Sequence, residues 1–319
     1  MAASDVSEPD GGLDAITIGE TLAAFIQGEA PDRYALAAAG AESNVAVGMA
    51  QLGCRTRWVS RLGQDELGRF VERCIAGHGV DTRVEWDDQS PTGLFVKEIG
   101  PERTRVRYYR SQSAARHLSD ADRFLDLGVA RWIHVTGITP ALSPSAGALV
   151  AAIVGRRSAH AGRVSFDVNY RPALWPDPAS AAQTLVPLAR QADLVFIGDD
   201  EAEALLGTSD RQDVAARLLA RDDQELIVKR GGAAATLVTN AGHVSEPALE
   251  VDVVDLTGAG DAFAAGYLAA SCRGLPPRDR LRVGHYVASR AITVRGDLAV
   301  DLNPDGLPAA ASFVPGVSG

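Results

Sequence analysis

Lysine is nearly absent from this chain. Of 31 basic residues only Lys97 and Lys229 are lysines, so arginine carries almost all of the positive charge. The overall balance is acidic, with a net charge of −10. That excludes a general nucleic-acid-binding surface, and any anionic ligand requires basic groups gathered locally. Cysteine is also scarce. Cys54, Cys74 and Cys272 stand far apart and form no CxxC pair. A disulfide framework and a cysteine-type metal site are excluded, and a reducing compartment is implied. The three thiols read as small buried hydrophobes. Long apolar runs are missing too. The most apolar helical stretch, Ala262 to Ala270, is too short to span a bilayer. The first dozen residues are polar, acidic and glycine-rich, with no basic n-region or apolar h-region. The expectation is a cytoplasmic protein with no membrane partner.

What is present is an alternation of strand and helix patterns. Ala15–Glu20, Leu22–Ile26, Arg57–Arg61, Trp132–Thr136, Val164–Val168, Leu194–Ile197 and Leu226–Lys229 read as strands. Helical spacing recurs at Asn44–Leu52, Glu66–His78, Ser145–Ala159, Ala179–Arg190, Glu201–Leu206, Asp213–Ala220, Ala259–Cys272 and Leu281–Val294. The βα rhythm predicts a mostly parallel sheet with helices on its faces. Two runs interrupt it: Gly93–Ile99 and Thr104–Arg110 read as a hairpin joined by Gly100–Arg103. Thr236–Thr239 and His243–Ser245 form a second hairpin-like pair. The chain length of 319 residues suits one domain over 14–307, with a small β lid from about 20–39 and 92–111 and flexible tails at 1–13 and 308–319.

The most informative segment is Val251–Gly266, VDVVDLTGAGDAFAAG. A β-branched run ends at Asp255, and Thr257-Gly258-Ala259-Gly260-Asp261 then opens a helix of small residues. Glycines at a helix start allow close approach of an anion, and the unpaired N–H groups and positive helix end favour a phosphate there. A carboxylate in that first turn is either a helix cap or a proton acceptor beside the anion site. Phosphoryl transfer requires both charge neutralisation and such an acceptor.

DLTGAGDAF resembles the C-terminal signature of the ribokinase-like (phosphofructokinase B-type) carbohydrate kinases, and the resemblance extends from Ile16 to about Leu307. It implies a three-layer α/β/α fold with a small β-sheet lid. It implies ATP and Mg²⁺ as cofactors, with a monovalent cation left open. It makes Asp261 the general base and the Gly258, Ala259, Gly260 and Asp261 backbone the anion hole. Gly40 and Asn44, in Gly40-Ala41-Glu42-Ser43-Asn44-Val45-Ala46, would lie against the acceptor sugar. Lys229, Gly231 and Gly232 fall at the family's nucleotide-side turn, with Thr257, Gly258 and Gly260 completing the nucleotide contacts. One departure stands out. Where the family has N-x-x-E, this chain has Gly198-Asp199-Asp200-Glu201, so Glu201 is left to organise metal-bound water without the Asn, or with Asp199 in its place.

Within the family, G-A-E-S-N-V-A, Y-Y-R-x-x-S-A-A, G-I-T-x-A-L-S at Gly137–Ser143, F-D-x-N-x-R-P and Val294-Arg295-Gly296-Asp297 are together similar to the 2-keto-3-deoxygluconate kinases. That resemblance puts Tyr108, Arg110 and Arg171 on the carboxylate and oxygens of an acid sugar, and Phe95 in the pocket wall. The guanidinium fork suits a carboxylate; the alternative for either arginine is a plain salt bridge. Other sugar kinases on the same scaffold (fructokinase, ribokinase, a deoxy-ketogluconokinase) and a non-catalytic sugar or nucleotide sensor remain the rivals. A dinucleotide oxidoreductase is disfavoured, because the glycine-rich turn lies near the end of the chain rather than after the first strand. The hairpin's free edge predicts a homo-oligomer formed through the lid.

Overall fold

The computed structural model describes residues 12–28, 30, 32–99, 104–119, 128–155, 162–294, 296, 298 and 302. Gly100–Arg103, residues 1–11 and 308–319 of the expected tails, the 156–159 end of the predicted Ser145–Ala159 helix, and Arg295 and Asp297 lie outside the described residues. The strands are β1 (Leu13–Ile18), β2 (Leu22–Gln27), β3 (Tyr34–Ala39), β4 (Thr56–Gly63), β5 (Asp81–Asp87), β6 (Leu94–Ile99), β7 (Thr104–Tyr109), β8 (Ala130–Thr136), β9 (Arg163–Asp167), β10 (Leu194–Gly198), β11 (Glu225–Arg230), β12 (Ala234–Thr239) and β13 (Gly242–Pro247). The helices are α1 (Ala41–Gln51), α2 (Glu66–Ala76), α3 (Ile138–Leu142), α4 (Pro144–Gly155), α5 (Pro178–Gln191), α6 (Asp199–Leu206), α7 (Arg211–Leu218), α8 (Ala259–Cys272) and α9 (Pro277–Ile292).

Nine strands form one sheet in the order β13-β12-β11-β10-β9-β8-β1-β4-β5. It is parallel except at β12 and β13, which add as an antiparallel edge. The central strands are apolar on both faces, as a parallel sheet covered on both sides demands. Trp132, Leu194 and Phe196 pack with α1, α8 and α9. Their neighbours Ile133, Val195 and Ile197 point the other way, toward α4, α5, α6 and α7. The result is the expected three-layer α/β/α arrangement. A separate four-stranded sheet has the order β3-β2-β6-β7. Its β6–β7 pair is the predicted hairpin, in register Phe95↔Tyr108 and Lys97↔Val106.

Three elements escape the sequence reading. β3 is alanine-rich (YALAAA), a poor β pattern, and is a strand because it pairs with β2 over six residues. β5 carries charge at its alternate positions and forms the edge beyond β4. α3 is a single five-residue piece. Conversely, the β-branched run before Asp255 pairs with no strand: the N–H groups of Val254 and Asp255 bond to the Ile292 carbonyl at the end of α9.

Two helices aim their N-termini at the carboxyl edge of the large sheet, where parallel sheets bind ligands. α2, α5 and α7 begin with aspartates whose side chains cap backbone N–H groups. α1 and α8 begin instead with Gly40 and Gly258, without a side-chain cap. The two lie close together, for a methyl group on Gly48 would come within 2.7 Å of Ala265 Cβ. Buried all round, α8 also packs tightly on α9. A methyl on Gly266 would stand 2.7 Å from the Val283 carbonyl oxygen.

Candidate active site

The site assembles where the carboxyl ends of β1, β9 and β11 meet the starts of α1 and α8. Gly258 has φ +77°, a left-handed conformation that glycine adopts without strain. It turns the chain so that Ala259, Gly260 and Asp261 form the first turn of α8. The N–H groups of Gly260 and Asp261 have no partner inside the helix. Asp261 is 8% exposed. Its Oδ2 accepts from Asn44 Nδ2 at 2.9 Å, and its Oδ1 accepts from Asn169 Nδ2 at 3.4 Å. Burial pushes its pKa up, the Asn44 hydrogen bond opposes this, the Asp167 charge adds to it, and the result is about 7. Asp261 is therefore poised to hold or release a proton near neutrality rather than to sit as an ordinary solvated cap.

Lys229 extends from β11 into this cluster. Its Nζ donates to Asp167 Oδ2 at 2.8 Å and lies 3.3 Å from where a Cβ on Gly260 would stand. Burial disfavours its charge, but Asp167 and Glu201 outweigh this and hold its pKa above the usual lysine value. The sequence reading groups Lys229 with the nucleotide contacts, and its ammonium reaches Gly260 at the start of α8, another member of that group. Gly231 and Gly232 stay in the exposed β11–β12 turn with open space around them.

Asn169 escapes the sequence reading although the F-D-x-N motif contains it. It has φ +39°, rare for a non-glycine residue. Its N–H reaches Asp167 Oδ1 at 3.3 Å. Lys229, Asp167, Asn169, Asp261 and Asn44 thus form one continuous polar chain. Arg171 stands exposed just beyond, and its charge favours the ionised form of Asp261.

A second group of predicted residues gathers where the two sheets meet. Phe95 is buried and its ring lies 5.6 Å from that of the exposed Tyr108. Arg110 stacks over Tyr108 at 5.9 Å and forms an ion pair with Glu20, which also accepts from Ser113. The buried Arg110 Nε has no hydrogen-bond partner among the described residues. Gly40 lies against the same strand break: a Cβ there would come within 2.4 Å of the Glu20 carbonyl oxygen. Arg110 is thus already ion-paired within the chain, and the described contacts do not join it to Arg171. Glu42, behind Gly40, accepts from Thr136 and Thr139 at 2.7 and 2.8 Å.

Glu201 is committed to the backbone. Its Oε1 accepts from Tyr170 N–H at 2.7 Å and its Oε2 from Gly198 N–H at 2.8 Å. It closes the β10–α6 turn with the N–H of the glycine that replaces the family Asn. Among the described residues no three His, Cys, Asp or Glu side chains cluster as metal ligands. With Asp167 paired to Lys229 and Glu201 bonded to two N–H groups, the donors fit a Mg²⁺ carried on phosphates through water, the usual habit of that ion. Elsewhere, Cys54 is buried as expected while Cys74 and Cys272 are only half-buried; burial pushes the Cys54 thiol up to about 12 and raises that of Cys272, which disfavours the thiolate. No described helix is long and apolar enough to cross a membrane.

Comparison with known proteins places the fold in a family. A 2-dehydro-3-deoxygluconokinase of Bacillus subtilis (strain 168) is 35% identical over 306 residues, 93% of each chain. A 2-dehydro-3-deoxygalactonokinase of Haloferax volcanii is 34% identical over 272 residues, 84% of this chain and 85% of the other. The crystal structure of a PfkB protein from Polaromonas sp. JS666 superposes with a TM-score of 0.82 at 32% identity, over 94% of this chain and all of that one. The family described as pfkB family carbohydrate kinase matches residues 15–303. With that match running from the first strand of the large sheet to beyond α9, the chain belongs to the pfkB family of carbohydrate kinases.

Proposed function

We propose that the protein transfers the γ-phosphoryl group of ATP to the terminal hydroxyl of 2-keto-3-deoxygluconate, with Asp261 as general base. The observation that carries this is the desolvated Asp261 carboxyl, with its pKa near 7, beside the uncapped start of α8 and the Lys229 ammonium. Asp261 accepts the hydroxyl proton as the new O–P bond forms. The bond from phosphorus to the β-bridging oxygen breaks, and ADP leaves with the electron pair. The N–H groups of Gly258–Asp261 and Lys229 take up charge on the transferring phosphoryl. Thr257 and the Gly231–Gly232 turn complete the nucleotide side. When bound, Mg²⁺ neutralises the nucleotide phosphates, and Glu201 and Asp167 are the residues that would hold its waters.

Gly40, Asn44 and Phe95 hold the sugar from the core and the small sheet. Arg171 and the unpartnered Nε of Arg110 recognise its carboxylate. The small sheet acts as a lid that excludes water. The Haloferax relative makes the galactonate epimer the second substrate to test. The small sheet exposes Tyr34, Leu36, Val106 and Tyr109, which suits pairing with another copy; light scattering after size exclusion tests this. A cytoplasmic location accords with both substrates.

The deciding experiment is an ADP-release assay across acid and neutral sugars. Preference for a 2-keto-3-deoxy acid sugar is expected; equal or better turnover of fructose or ribose overturns the substrate. Asp261→Asn is expected to remove most turnover while sparing ATP binding, and near-normal turnover rejects the base.

A further inference from the structure

The other lysine, Lys97, lies on β6 and makes none of the described contacts of the polar chain around Asp261. Its Nζ reaches Asp255 Oδ2 at 2.5 Å and Thr257 Oγ1 at 3.2 Å. The contact is sheltered: the Lys97 and Asp255 side chains are 11% and 19% exposed. Asp255 also organises its own turn. Its Oδ1 accepts from Thr257 N–H at 3.1 Å and from Thr257 Oγ1 at 2.7 Å. The next residue is Gly258, whose left-handed conformation launches α8.

The rest of this turn is thinly held. Val253, Val254 and Leu256 are exposed, and among the described residues the backbone hydrogen bonds from this run to α9 go to the Ile292 carbonyl. Alternation along β6 places Lys97 on the same face as Phe95. The face of the small sheet that carries the proposed pocket wall thus also carries the ammonium that grips the α8 turn. Burial opposes ionisation of Asp255, but hydrogen bonds from Lys97 and Thr257 outweigh it and hold the carboxyl below the ordinary aspartate range. A sheltered pair of this kind is screened far less than a surface pair.

We propose that Lys97 is a positioning residue for phosphoryl transfer: its ion pair with Asp255 joins the small sheet to the Asp255–Gly258 turn, so that seating the sheet over the sugar sets the N–H groups that receive the phosphoryl charge. This rests on the reading of α8 as the phosphoryl site. Lys97 touches neither the polar chain around Asp261 nor Asp261 itself among the described contacts. Its effect is therefore on the geometry of transfer rather than on the proton.

A mutant cycle tests it. Lys97→Met and Asp255→Asn are each expected to lower kcat about tenfold, with the KM for ATP changed less than about twofold, since a displaced turn weakens the transition state more than the ground state. The double variant is expected to be no worse than the worse single one. Lys97→Arg is expected to recover most of kcat, and the ratio of sugar-independent ATP hydrolysis to sugar phosphorylation is expected to rise in Lys97→Met. Additive losses, or a Lys97→Met enzyme with native kcat and native hydrolysis ratio, overturn the proposal. Should Lys97→Met fail to fold by circular dichroism, Lys97→Gln carries the same comparison. The outcome is separable from that of the base assignment. An Asp261→Asn enzyme that keeps turnover removes the base, whereas the 97–255 coupling is read from the cycle alone.

Discussion

At the scale of single residues the site turns on where the proton of Asp261 resides. An unfolded chain releases that proton near pH 4, whereas the folded one holds it to about 7. Across that window the unfolded state binds fewer protons, so this group's contribution to stability falls as the pH rises from 4 to 7 and is constant above it. Asp261→Asn abolishes the dependence. Its melting temperature relative to the native protein is expected to climb between pH 4 and 7 and then level off; a difference that stays flat over that range contradicts the raised pKa. Activity is expected to run the opposite way, because the proposed base must be ionised. The acid limb of kcat/KM is expected to have its midpoint near 7. Asn44 donates to the carboxylate and favours its ionised form, so Asn44→Ala is expected to move that midpoint upward. The loss at pH 6.5 is then larger than at pH 8. A midpoint that stays in place shows that the Asn44 hydrogen bond does not govern the base.

At the scale of elements, α8 shows what was legible in the chain and what was not. Its start at Ala259 and the carboxylate in its first turn could be read because T-G-A-G-D is a local signal: glycine, helix start and carboxylate within five residues. Asn44 was readable for the same reason. Asp167, Asn169, Glu20 and Lys97 were not, because each acts through a partner distant in sequence. Asp167 and Lys229 are 62 positions apart, and Lys97 and Asp255 are 158 apart. β3 was missed because strand pairing overrode an alanine-rich composition. The small residues of α8 could be read as helix but not as a contact surface. Alanine in place of Gly266 improves intrinsic helix propensity by about 1 kcal/mol. The methyl group, however, meets the α9 backbone at 2.7 Å, and backbone yields little. Gly266→Ala is therefore expected to lower stability by about 1–3 kcal/mol in chemical denaturation despite the gain in propensity. A stabilised variant means that α9 moves aside freely.

At the scale of the whole molecule, the proposed function asks two sheets to hold one sugar between them, and an acidic protein to draw in two anions. Both demands fall on a few cations at the junction. Lys97 grips the α8 turn, and Arg110 leaves the end of β7 to meet Glu20 at the break between β1 and β2. The Arg110 and Glu20 side chains are 13% and 1% exposed. Glu20 is the one carboxylate described on Arg110, and it compensates a buried guanidinium while Nε has no described partner and is open to the proposed sugar carboxylate. Breaking a buried pair from one side strands the other charge and costs about 3–5 kcal/mol, whereas removing both partners costs much less. Glu20→Ala is therefore expected to lower the melting temperature by several degrees, and adding Arg110→Leu is expected to return part of that loss. The double variant should bind acid sugar poorly even where it folds well, because the fork proposed to read the carboxylate has gone. If the double variant is less stable than Glu20→Ala alone, Arg110 supports the junction by packing rather than by charge. The two sheets would then be joined chiefly through the apolar cluster that packs Ala23 of β2 with Trp58 and Leu62 of β4.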